Sequence, residues 1–274
     1  VAFYANGIVD VGGPATFHSY SAGVDVEFVS SAFTGGDLTV NAPGAVVLSA
    51  DSSLTSGDGF YVGLSGSNPS QVNVTVEDSL SVGSDMLIGA NGRVIVTVGD
   101  ALSVGSELSL GDAGTTMVDF DVPAGWIGGD MELDGTARIT LELRSTGNAV
   151  GVLEVGGALT ADAPVIVFNG PGAIDMLGFG KADLNASDAL SLGASIRGAG
   201  SIELQGTNLL ELGADLNAVN DVLALNDVSL GSDVVVSSDQ GNVTFQAVGG
   251  VAGTENLEVQ ALAGTADFKG AISN

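Results

Sequence analysis

The stretch from Ser79 to Gly111 says nearly the same thing twice. Ser79-Leu80-Ser81-Val82-Gly83-Ser84-Asp85-Met86-Leu87-Ile88-Gly89 is followed by Ala101-Leu102-Ser103-Val104-Gly105-Ser106-Glu107-Leu108-Ser109-Leu110-Gly111. Leu80 maps onto Leu102 and Val82 onto Val104, an offset of 22 residues. Between the copies lies Arg93-Val94-Ile95-Val96-Thr97-Val98, a β-branched run with strand alternation. A period in the twenties, built of short alternating strands closed by glycine, predicts a β-solenoid. One such coil cannot bury its own apolar face, so the repeat makes sense only as a stack.

The rest of the chain keeps this rhythm. Corners of the L-x-V-G or L-x-L-G kind fall at Gly83, Gly105, Gly128 and Gly156, then at Gly193, Gly213, Gly231 and Gly249, with weaker ones at Gly13, Gly36 and Gly63. This ruler predicts an all-β, single-chain parallel β-helix of roughly 11–12 coils, each of about 18–23 residues. Glycine is expected at these corners because bends there often need positive φ. Residues 1–34 stand apart, holding six of the fourteen aromatics (Phe3, Tyr4, Phe17, Tyr20, Phe28, Phe33) and the single histidine. They form a segment expected to act as a cap or an assembly surface, ahead of a solenoid over 35–274.

Charge narrows the partners. The chain carries 33 acidic residues against 6 basic ones, a net charge of −27, and no Lys or Arg precedes Arg93. That polarity argues against nucleic acid or an anionic membrane surface. No apolar run is long enough to span a bilayer. With no cysteine there is neither a disulfide framework nor a thiolate metal site. The chain opens on Val1 without Met or a charged leader, which predicts a secreted, extracellular protein whose signal peptide has been removed.

Near the end the rhythm becomes Gly241-Asn242-Val243-Thr244-Phe245, then Leu257-Glu258-Val259-Gln260-Ala261, then Gly264-Thr265-Ala266-Asp267-Phe268-Lys269-Gly270. With the earlier Ala-Leu-Ser-Val-Gly and Gly-Gly-Asp-Leu-Thr-Val strings, this resembles the repeats of secreted bacterial adhesins of the filamentous-haemagglutinin and autotransporter-passenger type. The resemblance implies an exported, right-handed parallel β-helix displayed at a cell surface.

Two residues past a corner glycine stand Asp85, Glu107 and Asp130, and again Asp215 and Asp233. A constant place in the coil puts the first three in one column, with carboxylates about 5 Å apart. Such a column is either a solvated acidic rib or a set of Ca²⁺ ligands bridging coils. A second set, Asp78, Asp100 and Asp188, is expected to bond its own turn backbone. Asn73, Asn185 and Asn242 open Asn-x-Ser/Thr sequons that would permit surface glycosylation.

Catalysis lacks parts: His18 is alone, so no histidine triad can be built, and the basic residues are scattered. Two functions remain. One is the structural subunit of an extracellular filament or sheath, a head-to-tail homopolymer. Its expected interface pairs Val1, Phe3, Tyr4, Ile8, Val9 and Val11 with Phe268 and Ile272. The other is an adhesin-type module contacting a surface glycan.

Overall fold

Apolar residues at every second place, many of them β-branched valine and isoleucine, suit a pleated surface with one buried face rather than a helix. The computed structural model describes residues 2–20, 22–63, 69–145, 151–250 and 255–273. All regular structure among them is β-strand, parallel throughout and stacked as a solenoid of about eleven turns. Two compact units divide the chain, Val1–Ala137 and Arg138–Asn274.

Among the described residues of the first unit, eighteen strands, three to a coil, make six coils. The first face of the coils begins with Ala2–Ala5, Val24–Phe28, Ala45–Ala50, Gln71–Val76 and Arg93–Val98. The second face begins with Val9–Val11, Ala32–Thr34, Leu54–Ser56, Leu80–Val82 and Leu102–Val104. The third begins with Ala15–His18, Leu38–Asn41, Phe60–Val62, Met86–Ile88 and Leu108–Leu110. Leu80 lies opposite Leu102 and Val82 opposite Val104, so the 22-residue offset of the sequence is the strand register itself.

Inward positions stack in columns. Val72, Val74 and Val76 lie over Val94, Val96 and Val98, all of them buried. Removing each such side chain from water contributes roughly 1.5–3 kcal/mol. Coil length is less even than the glycine ruler predicts. Leu54 pairs with Leu80, 26 residues on, and the extra residues fall between Phe60–Val62 and Gln71–Val76, a stretch partly outside the described residues. The observed steps therefore run longer than the upper end of the expected 18–23.

The second unit keeps the three faces but often omits the corner between the third and the first. Leu159–Asn169, Lys181–Leu192, Val222–Leu230 and Val243–Gly250 each run through it as one long strand. The bend is made by slipping register, between Ala163 and Val165 and between Ala224 and Asp227. Pro164 sits in the first slip, where its missing N–H leaves no ladder bond unmade. Ala182 lies opposite Ile202, and Ile202 opposite Val222, steps of 20 residues, shorter than in the first unit.

Gly83, Gly105 and Gly128 are there for a different reason from the one expected. The left-handed glycines among the described residues are Gly7, Gly63, Gly111, Gly170 and Gly198. Of the ruler positions only Gly63 belongs to that set. Gly57, Gly83, Gly105 and Gly128 instead form a ladder, each donating its N–H one coil back, to Thr34, Ser56, Val82 and Val104 at 2.7–2.9 Å. A Cβ on Gly57, Gly83, Gly105 or Gly128 would lie under 3.0 Å from the carbonyl oxygen of the preceding ladder glycine. Close backbone stacking, not φ, excludes side chains here.

Candidate assembly surfaces and acidic columns

A strand inside a coil stack has a partner on either side; a strand in the outermost coil has one. In the first unit Ala2–Ala5 pairs with Val24–Phe28, Val9–Val11 with Ala32–Thr34, and Ala15–His18 with Leu38–Asn41. Among the described residues none of the three has a second partner. In the second unit Leu257–Ala261 pairs with Val234–Ser238, while Ala266–Phe268 and Ile272–Ser273 both pair with Val243–Gly250. These three are likewise one-sided among the described residues.

The side chains of these layers tell the same story. Phe3 is in register with buried Val26, and Phe17 with buried Val40, so both rings belong to the core side of their strands. Phe3 is nonetheless 38% exposed, whereas Phe60, two coils inside, is fully buried. Phe3, Phe17 and Phe28 form a ring cluster with centroids 5.2–6.4 Å apart. Val9 and Val11 are half-buried on the core side, while Ile8 and Tyr4 are exposed. Val1 lies outside the described residues. At the other layer Phe268 stacks on Phe245 at 5.4 Å and 17°, and Ile272 is 66% exposed although its register partner Val248 is buried. Both layers thus combine strands that are one-sided among the described residues with partly exposed core-side side chains. A comparison with family models, with curated proteins and with solved structures finds no match.

Of the acidic residues two places past a corner glycine, Asp85, Asp215 and Asp233 each accept a backbone N–H from the next coil. Asp85, Glu107 and Asp130 each precede a third-face strand, and the strands they precede are in register, Met86 against Leu108 and Leu108 against Met131. Asp85 Oδ1 accepts the backbone N–H of Glu107 in the next coil (3.3 Å), as Asp37 Oδ1 accepts that of Gly59 (2.9 Å). In the second unit Asp215 takes the N–H of Val235 (2.7 Å), and Asp233 takes that of Asn256 (2.7 Å). A corner N–H lies between strand ladders and needs an acceptor, and a short carboxylate one coil away supplies it. Asn242 fills the same role neutrally, accepting the N–H of Thr265 at 3.0 Å. Among the described residues no three His, Asp or Glu side chains come together in a group suited to a metal ion.

The second acidic set reaches across coils as well, and the own-turn bonding expected for it is not what the structure records for two of its members. Asp78 accepts the Ser52 hydroxyl (2.8 Å) and Asp188 the Asn208 amide (2.7 Å). Of the sequon asparagines, Asn185 donates to Asp162 and Asn242 to Asp221, while Asn73 accepts the Thr75 hydroxyl within its own strand. Elsewhere on the surface, Lys181 bridges Asp183 (2.7 Å) and Glu203 (2.6 Å). The Asp183 and Glu203 hydrogen bonds raise its pKa above the ordinary lysine value.

The capping role makes a prediction about charge. Asp215→Asn keeps an oxygen for the Val235 N–H and sheds one negative charge, so its melting temperature should equal or exceed that of the parent. Asp215→Ala orphans the N–H and should cost about 1 kcal/mol. Thermal melts of both variants in ionic-strength-matched NaCl and CaCl₂ check this. If Asp215→Asn is as damaging as Asp215→Ala, and only in Ca²⁺, the column acts through a cation instead.

Proposed function

We propose that this chain is the structural subunit of an extracellular, cell-surface filament or sheath, whose copies join head to tail through the two end layers. The supporting observation is that both layers combine one-sided strands with exposed core-side residues. A layer of this kind is stabilised by one more layer of the same kind, and a second copy offers one. The contact joins unlike surfaces, and a heterologous contact that does not close on itself propagates. The acidic surface, −27 in all, keeps the flanks of neighbouring filaments apart while leaving the ends free to pair.

A second reading, an adhesin-type module, draws on the second face. Phe33, Thr55, Ser81, Ser103 and Trp126 follow one another in register on its outer side, with the two rings about 40% exposed. Rings flanking a hydroxyl row suit a sugar chain, which offers both apolar faces and hydroxyls.

Sedimentation velocity with negative-stain imaging separates the two. Residues 1–274 should form linear polymers whose length grows with concentration and with moderate salt, which screens the like charge. Removing residues 2–18 should leave a folded chain that stops polymerising. Monomers at all concentrations, or filaments that survive the deletion, would transfer support to the adhesin reading.

A further inference from the structure

The second unit carries a hollow where its long strands bend from the third face to the first. Leu159–Asn169 and Lys181–Leu192 run through the bend as single strands, with Ser201–Gly206 beside them. Their inward residues at the bend are small: Ala163 is in register with Ala186, and Ala186 with Gly206, all three buried. Small side chains let the backbone sink toward the core, so the outer surface is concave there. The hollow measures about 270 Å³. Two outward rows line it, each taking one residue from each coil. Thr160, Asp183 and Glu203 form one row, and Asp162, Asn185 and Gln205 form the other. A second hollow, of about 390 Å³ and lined in part by Asn226 and Gln246, continues from it. Gly206, the neighbour of Gln205, donates its N–H to Asn226 Oδ1 at 3.2 Å where the two meet.

The groups in these rows hold one another in place. Asn185 donates to Asp162 (3.2 Å), and Lys181 donates to both Asp183 (2.7 Å) and Glu203 (2.6 Å). Each carboxylate keeps lone pairs for an outside donor, and each amide both donates and accepts. Polar groups fixed ahead of time lose little freedom on binding. The same coil supplies an apolar rim. Leu177 and Phe179 occupy the corner just before Lys181 and are 51% and 66% exposed. Among the described residues Phe179 is the one non-glycine with left-handed backbone (φ 54°). A bulky side chain rarely adopts that conformation, and such strain is typical of binding sites. Added side chains at Gly178 and Gly180 would strike the Gly156 and Gly157 carbonyl oxygens, so the ring stands alone at a corner of tightly stacked backbone. We propose that the hollow binds an uncharged, hydroxyl-rich saccharide chain laid across the coils, with Phe179 against the face of a sugar ring. Adjacent sugar hydroxyls match a carboxylate or an amide, which exchanges two hydrogen bonds at once, and the C–H face of the sugar suits an aromatic ring. Asp162, Asp183 and Glu203 outnumber Lys181, within a chain of net charge −27, which turns away sulfated or uronic chains. Among the described residues these carboxylates belong to no group suited to a metal ion. The site does not depend on copies joining end to end, and it uses none of the residues in the row from Phe33 to Trp126.

Native affinity gels cast with soluble polysaccharides test this, with β-glucan, xylan and galactomannan as neutral probes, pectate as the anionic one and glycol chitosan as the cationic one. At least one neutral polymer should retard the chain, equally at low and high salt, and pectate should not. The double variant Asn185→Ala/Gln205→Ala should weaken that retardation about tenfold. Both side chains point outward, so the fold should survive, and circular dichroism with thermal melting verifies it. Phe179→Gly should also weaken retardation while raising the melting temperature, because glycine accepts the left-handed backbone that phenylalanine is strained to hold. If Phe179→Gly melts lower and binds as the parent does, the ring has no part in the site. If no neutral polymer retards the chain, or only glycol chitosan does and salt abolishes it, the site is overturned, the second result marking plain charge attraction. Retardation that survives the groove variants and disappears in Phe33→Ala/Trp126→Ala also overturns it, and moves the sugar contact to the second face.

Discussion

Gly105→Ala should lower the stability of the folded chain by about 3 kcal/mol, the upper part of the range for forcing atoms into a packed site. The added Cβ has nowhere to go. It would meet the Gly83 carbonyl oxygen, and beyond that oxygen the Ser84 N. Both are backbone, and both belong to a coil held by ladder bonds on either side, so relief would require spreading the coils. Gly193→Ala is the informative contrast. It is a glycine at a different corner, between the first and second faces in the second unit, and its nearest neighbour, the Phe168 carbonyl oxygen, is 3.4 Å from a built Cβ, an ordinary contact. Its φ is not among the left-handed ones. Alanine there should fall within about 0.5 kcal/mol of the parent, with a small gain from a stiffer unfolded chain offsetting any loss. Denaturant unfolding of the two variants checks the pair. Equal, small losses would mean that the ladder glycines tolerate a methyl group and that coil spacing at this corner is loose.

Those two glycines also mark what could and could not be inferred from residues alone. The parallel coil was legible in Ser79–Gly111, because a 22-residue offset that superposes Leu80 on Leu102 is a register as well as a repeat. The alternation of Gln71–Val76 and Arg93–Val98 likewise told which side chains point inward. The reason for the corner glycines was not legible. Positive φ and close stacking ask for the same residue, and only the distance from one coil to the next separates them. Nor was the work of Asp85, Asp215 and Asp233. A carboxylate at a constant place suggests a column of charge, but its acceptor role depends on which N–H of the following coil lies beneath it. Asn242 was the available hint, since a neutral amide in a comparable place favours hydrogen bonding over charge. The long strands of the second unit were hidden for a related reason. At Pro164 the bend is taken up by a slip in register that leaves both flanking segments extended, and no residue pattern separates such a slip from a corner.

Phe60→Ala should be the most damaging single truncation of the two considered next, costing about 3–5 kcal/mol. Phe60 is fully buried, between Leu38 in the coil on one side and Met86 in the coil on the other, both buried as well. Its neighbours are fixed by ladders on three faces, so the void cannot collapse by moving one strand without breaking pairings on another. Phe17→Ala removes the same atoms from the same face two coils nearer the edge, where the ring is only half-buried and covered on one side. In dilute, unassembled protein it should cost about 1–2 kcal/mol, since less apolar area leaves water and the site can relax outward. The ordering should change when the chains are concentrated. Phe60→Ala weakens each subunit but leaves the end layers intact, so in the proposed assembly the folded fraction should still polymerise at low temperature. Phe17→Ala leaves a stable subunit whose first coil lacks its core-side ring, and in the proposed assembly its polymers should be lost first. Chemical unfolding at low concentration, set beside sedimentation at high concentration, reads the two effects separately. A Phe17→Ala chain that polymerises like the parent would show that the end layers join without that ring.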